Sequence, residues 1–231
     1  MFLAPFTNFV PIFTNIFMKK YILPSIDKDF ETIILADGEF PSHPFTLSIL
    51  NNCKYLVCCD GAVNNLDKIS KQPDAIIGDC DSLSTENRNR FANIIHYIPD
   101  QETNDLTKAV HYCINQGRNN ITILGATGKR EDHTIANISL LCEYMEDITV
   151  EMITNYGVFT PIRKTSVFES RPKQQVSIFC IDQSPITSYH LLYPIENKVF
   201  TNWWQATLNE AEGNEFTIKT SGRTIIYRAF L

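Results

Sequence analysis

The sequence predicts a mostly parallel α/β sheet followed by a smaller antiparallel β domain. Two observations predict this. From Glu31 to Ile153 short β-branched runs alternate with longer segments of helical spacing, the arrangement that a parallel sheet with crossover helices requires. After Asn155 the helical spacing stops and alternating, β-rich stretches separated by turn signals take over, with no internal repeat or low-complexity tract.

Strands are predicted at Thr32 to Ala36, Tyr55 to Cys59, Ala75 to Ile77, Ile94 to Ile98, Ile121 to Leu124 and Ile148 to Ile153, each apolar and too short for a buried helix. Between them, Leu106, Ala109, Val110 and Cys113 recur at helical spacing, as do Ile135, Ile138, Leu141 and Cys142, so each segment offers an apolar stripe to the sheet. In the second part the strand signals are Thr165 to Phe168, Val176 to Ile181, Phe216 to Lys219 and Thr224 to Tyr227. The expected division is 31–155 and 156–231, preceded by an extension over 1–30. That extension opens on the apolar run Met1 to Phe17, but no basic residue precedes it, Pro5 and Pro11 interrupt it, and Lys19 and Lys20 come after it. It is therefore read as a poorly specified N-terminal extension, with Met18 as an alternative start, rather than as a signal peptide or a membrane span of about 20 apolar residues.

The chain has 231 residues, 44% hydrophobic and 20% charged, an ordinary globular balance with enough sequence for a buried core. A net charge of -6 with no clustered run of Lys and Arg argues against broad nucleic-acid binding. Seven cysteines form an odd set without a C-x-x-C pair, so neither a disulfide framework nor a zinc knuckle is expected; reduced thiols and a cytoplasmic location are.

Residues suited to chemistry fall just after the predicted strands: Asp37-Gly38, Asp60-Gly61, Gly78-Asp79-Cys80-Asp81, Asp100-Gln101, and Gly125 to Asp132. In an open α/β sheet these positions share the carboxyl edge, where such sheets bind ligands. Asp79 and Asp81 stand two apart, a spacing that aims two carboxylates at one oxygen-seeking cation, magnesium above all. Taken alone, that loop is read more readily as an Asp-rich turn. Thr103 or Asn104 caps a predicted helix in which Asp105 and Lys108 share a face, so a carboxylate and an ammonium meet at its N-terminus. Gly125 to His133 joins a strand to a helix, so its glycines free backbone amides for phosphate while Lys129 or Arg130 adds charge, yet it is neither a P-loop nor a G-x-G-x-x-G fingerprint. A helix-start turn with an Arg130 to Asp132 ion pair explains it equally well. Trp203 and Trp204 are open between core packing and stacking on a flat heteroaromatic ligand.

In combination, Cys59-Asp60-Gly61-Ala62-Val63-Asn64, Gly78-Asp79-Cys80-Asp81-Ser82, Asp100 to Ala109 and Gly125 to His133 resemble the thiamine pyrophosphokinase family. Leu191 to Asn197 and Thr207 to Glu210 are similar to that family's C-terminal domain. The resemblance implies a Rossmann-like, mostly parallel α/β catalytic domain, a C-terminal β-sandwich, and a homodimer whose thiamine site is shared between subunits. It implies magnesium as cofactor and ATP as co-substrate, with AMP and thiamine diphosphate as products. By motif position, Asp79 and Asp81 would hold the metal and Asp105 and Lys108 would act beside them. Asp60, Asn64, Gln101, Arg130 and Asp132 would line the nucleotide and thiamine pocket, and Thr207 and Asn209 would face thiamine. The chain departs from the family where Gly128-Lys129-Arg130 replaces Gly-Gly-Arg, Asp100-Gln101-Glu102 replaces Asp-Gln-Asp, Asn104-Asp105 replaces Thr-Asp, and Leu208 stands at the usual serine of a Ser-Asn pair. Two rival readings share the scaffold: a metal-dependent nucleotide pyrophosphohydrolase using water, and a non-catalytic thiamine or nucleotide sensor.

Overall fold

The computed structural model describes residues 18–26 and 28–230, so the apolar run over 1–17 lies outside the described residues. The chain enters through a short strand, β1 (Lys19–Tyr21), inside the segment read as an extension. Six strands then build the parallel part of a large sheet: β2 (Thr32–Leu35), β3 (Tyr55–Cys59), β4 (Ala75–Gly78), β5 (Ile95–Tyr97), β6 (Asn120–Leu124) and β7 (Thr149–Ile153). They run in the order β7-β6-β2-β3-β4-β5. Each predicted strand is present within two residues of its expected ends; Ile94 belongs to a 3-10 turn that precedes β5.

Alternation along these strands fills two cores. Ile33 and Leu35 of β2 and Leu56 and Cys58 of β3 face α1 (Pro44–Asn52), whose Ile49 and Leu50 cover them. A short helix, α2 (Thr85–Arg90), follows β4, and Ile34, Val57 and Cys59 point the other way, toward α3 (Asp105–Asn115) and α4 (Glu131–Tyr144). Burying both faces is what a parallel sheet with crossover helices needs, and each fully buried Ile or Leu contributes roughly 1.5–3 kcal/mol. The stripe Leu106, Ala109, Val110 and Cys113 is buried as expected. Ile135 is not: it is 57% exposed, and α4 turns Asn137 inward instead. The reason is local. The first turns of α4 border the ligand crevice, where Asn137 Nδ2 donates to Ala126 O at 2.9 Å and its Oδ1 accepts from Asn104 at 3.2 Å.

Beyond residue 155 the sheet continues without a break. β8 (Gly157–Ile162) pairs antiparallel with β7, and β14 (Thr224–Ala229), β10 (Gln175–Cys180) and β12 (Asn209–Glu210) extend it. A second sheet holds β1, β9 (Ser166–Glu169), β13 (Glu215–Lys219) and β11 (Thr187–Tyr189) in that order. Phe168, Phe216 and Ile218 from this sheet meet Val176, Ile178 and Ile226 from the large one, which makes the C-terminal part a β-sandwich. Fully buried Arg228 ties β1 into it, donating to Tyr21 O at 3.2 Å and Glu169 O at 2.9 Å. Among the described residues, no helix is long and apolar enough to cross a membrane.

Candidate active site

Strand order reverses between β2 and β6, and at such a switch point the loops leave the sheet in opposite directions and open a crevice. The crevice has a volume of about 390 Å³, and Asp60, Asp79, Gln101, Asp105, Lys108 and Arg130 all line it. Register explains the convergence. Cys59 lies opposite Ile77 and Gly78 opposite Tyr97, so the chain leaves β3, β4 and β5 at one level of the carboxyl edge. Gly78 is required there, because a Cβ would stand 2.9 Å from Asp60 Cβ and 3.3 Å from Asp105 Oδ1.

Asp60, Asp79 and Asp81 bring carboxylate oxygens within 4.8 Å of one another. Asp60 is 3% exposed, its Oδ2 accepts from Ser82 N at 3.0 Å, and its Oδ1 is buried with no partner among the described residues. Burial, followed by neighbouring Asp81 and Asp105, raises its carboxyl above the usual range despite the Ser82 bonds that act against this. Asp79 is held below that range by the Asp81 amide, 3.3 Å from its Oδ1, and by Gln101, 3.4 Å from its Oδ2. An orphaned buried oxygen beside two further carboxylates fits a hard divalent cation, and no thiolate or imidazole stands among the three donors. Asp60 was expected only as a pocket residue; the structure groups it with the predicted metal pair.

Asn104 caps α3 by accepting from Thr107 N at 2.9 Å, which sets Asp105 in the first turn. Lys108, 5% exposed, donates to Asp105 Oδ1 at 3.0 Å and fixes that carboxylate toward the crevice. Asp100 closes the preceding turn by accepting from Glu102 N and Thr103 N, and the Thr103 hydroxyl holds its carboxyl below the usual range. Across the crevice Arg130 grips Asp132 with two bonds, of 3.1 Å and 2.5 Å. This guanidinium, and then the His133 amide, draw the Asp132 carboxyl down to about 2.

Not every predicted residue reaches the crevice wall: Asp81, Asp132 and Asn64 are not among the residues lining it. Asn64 stands behind the metal loop, donating to Ser82 O at 2.9 Å and accepting from Asn87 Nδ2 at 2.9 Å. Asp37 and Lys129, paired at 2.8 Å, also line the crevice; Lys129 was expected, as an alternative to Arg130, to add charge for phosphate, and its pairing with Asp37 was not foreseen.

Two domain models of one family match in tandem: "Thiamin pyrophosphokinase, catalytic domain" over residues 46–152 and "Thiamin pyrophosphokinase, substrate-binding domain" over 157–227. The chain belongs to the thiamin pyrophosphokinase family. Among curated relatives, thiamin pyrophosphokinase 1 of Caenorhabditis elegans is 34% identical over 111 residues, 44% of this chain and 45% of the relative. Thiamine pyrophosphokinase of Bacillus subtilis is 28% identical over 134 residues, 54% of this chain and 63% of the relative. The matched stretch thus spans about half the length of the first of these relatives. The solved thiamin pyrophosphokinase from Candida albicans shares the fold, with a TM-score of 0.79 at 18% identity over 93% of both chains. The yeast thiamin pyrophosphokinase does so with a TM-score of 0.73 at 18% identity, over 92% of this chain and 91% of that one.

Within the stretch matched by the family's substrate-binding domain, Thr207 and Asn209 are not among the residues lining the crevice. Asn209 is 5% exposed and uses its amide to clamp Tyr193, accepting from its N at 3.1 Å and donating to its O at 2.8 Å. The Thr207 hydroxyl donates to Trp204 O at 2.8 Å. Neither Trp203 nor Trp204 is a core residue, at 40% and 73% exposure, and Leu208 beside them is 75% exposed with a left-handed φ of 59°.

Proposed function

We propose that the chain transfers a pyrophosphoryl group from ATP to the hydroxyl of thiamine, giving thiamine diphosphate and AMP. The observation that carries this reading is that Asp60 and Asp79, grouped with Asp81, line one crevice with the Asp105–Lys108 pair, in a chain matched by both domains of the family. The hydroxyl oxygen attacks the β-phosphorus in line and gives up its proton to solvent, the bond from that phosphorus to the oxygen bridging the α-phosphate breaks, and AMP leaves with that oxygen. Little covalent work falls to the protein, so positioning and charge neutralisation dominate. Asp105, fixed by Lys108, orients the thiamine hydroxyl. Arg130 faces the polyphosphate and takes up charge that develops on it, exchanging its exposed Asp132 partner for phosphate oxygens. Gln101 steadies Asp79. Asp79 and Asp81, joined by Asp60, would hold magnesium, which when bound neutralises polyphosphate charge.

The same reading places nucleotide and metal binding in 31–155 and thiamine recognition in 156–231. It makes the enzyme a homodimer in which the sandwich of one subunit completes the thiamine site of the other. Thr207 and Asn209 fall outside the crevice of their own chain, and the apolar surface of Trp203, Trp204 and Leu208 beside them is free to meet a second copy. Seven reduced, buried cysteines suit the cytoplasm.

The test is AMP release measured with and without thiamine. Release that depends on thiamine supports the transferase. AMP formed equally without it establishes the pyrophosphohydrolase, and nucleotide binding without AMP establishes the sensor.

A further inference from the structure

We propose that Lys129 is a second polyphosphate-binding cation of the crevice, parked on Asp37 until a nucleoside triphosphate displaces it. The inference rests on the reading of this crevice as a nucleoside triphosphate site.

Lys129 sits in the left-handed region, at φ 59°, directly after Gly128 at φ 74°. Glycine adopts that conformation freely; a residue with a Cβ does so at a cost. The contact that Lys129 makes does not offset the cost. Its Nζ donates to Asp37 O at 2.9 Å and to Asp37 Oδ1 at 2.8 Å, but the two side chains are 53% and 43% exposed, and ion pairs so open to water contribute little. Nor is the pair needed to join the two loops. Gly38 N already donates to Gly125 O at 2.6 Å and Glu39 N to Thr127 O at 2.7 Å, which zips the post-β2 loop onto the post-β6 loop. The left-handed turn at Lys129 is closed by Arg130 N donating to Gly128 O at 2.7 Å, but glycine would make that turn without strain, so a long cation held there at a cleft wall points to a ligand.

Charge supply in the crevice agrees. Lys108 is spent on Asp105 inside the protein. Among the described residues lining the crevice, the other Lys and Arg side chains are Lys129 and Arg130, each exposed and each resting on a carboxylate of its own. Exchanging a water-exposed carboxylate for a phosphate oxygen costs little and gains a charge-assisted hydrogen bond to a multiply charged anion. Arg130 then serves one part of the polyphosphate and Lys129 another, while Asp37 is released to solvent at the crevice mouth.

The two partners of the pair therefore have opposite effects, and that separates a ligand role from a latch. Binding of magnesium ATP is measured by calorimetry without thiamine, so the result does not depend on the acceptor, and melting curves confirm that each variant is folded. Lys129→Met weakens binding roughly tenfold, the loss of one charge-assisted contact. Lys129→Arg binds more tightly than Lys129→Met, and Asp37→Asn binds at least as tightly as the wild type because the competing carboxylate is gone. A weakening of less than about threefold in Lys129→Met overturns the proposal, as does a Lys129→Arg no better than Lys129→Met. Weakened binding in Asp37→Asn also overturns it, since that is the result for a structural latch. Failure of the wild type to bind magnesium ATP would instead remove the nucleotide reading of the crevice itself.

Discussion

Asp60→Asn tests the metal cluster through stability alone, without reference to turnover. Asp60 is buried and leaves Oδ1 without a partner among the described residues, and its carboxyl is raised above the ordinary value, first by burial. The folded chain thus binds this proton more tightly than the unfolded chain. Stability falls as pH rises from the unfolded value of about 4 through the folded one, and at neutral pH the ionised group is a standing cost in metal-free protein, about 1.4 kcal/mol for each unit of displacement. Asparagine is close in shape to the protonated acid: its oxygen keeps the Ser82 amide and its NH₂ can donate toward Asp81. In chelator at neutral pH, Asp60→Asn should melt above the wild type by roughly 2–4 °C, the shift for about 1 kcal/mol in a chain of this size. Magnesium reverses the order. At a hundredfold excess over its dissociation constant it adds about 2.7 kcal/mol to the wild type, roughly 5–10 °C, and little to the variant. Melting curves in chelator and in magnesium supply both numbers. An Asp60→Asn variant that melts below the wild type in chelator, or that gains as much from magnesium, would rule out Asp60 as a strained metal ligand.

Asp79→Ala and Asp81→Ala should each lower turnover by about a hundredfold, as for a lost electrostatic contact at a reacting group; wild-type turnover in both contradicts the metal assignment. Gly78→Ala puts a Cβ 2.9 Å from Asp60 Cβ and 3.3 Å from Asp105 Oδ1, at a φ of 156°. It should cost roughly 1–3 kcal/mol of backbone strain and at least about tenfold in turnover as the two carboxylates shift, and unchanged kinetics at an unchanged melting temperature would count against it. Asn209→Ala removes a buried amide that bonds Tyr193 N, Tyr193 O and Glu210 N. A loss of roughly 1–3 kcal/mol, read from the urea midpoint, is expected, and no shift would show that the clamp is dispensable.

The parallel half was legible because it is built from short buried runs whose alternation is written in the residues, as in Ile33 and Leu35 against Ile34. What escaped was long-range. β1 consists of Lys19, Lys20 and Tyr21, a polar stretch made a strand by pairing with β9, and no local pattern announces that partner. The continuity of the sheet from β7 into β8 depends on the antiparallel register of Met152 with Phe159, which a change of sequence texture hides. Ile135 fits the helical stripe, yet the stripe stops mattering where α4 passes from the sheet to the crevice. At the site, the motif residues Asp79, Asp81, Asp105 and Lys108 stood out by spacing. Asp60 joins the metal cluster only because β3 and β4 pair with Cys59 opposite Ile77, a register that a single sequence does not display. The Asp37–Lys129 pair escaped likewise, since it spans loops brought together by Leu35 opposite Leu124.

Pyrophosphoryl transfer to thiamine is followed with ATP labelled at its β-phosphorus, in the presence of magnesium and thiamine. The label should pass into thiamine diphosphate, one equivalent for each AMP formed. Label recovered as free pyrophosphate, with thiamine unchanged, would contradict it.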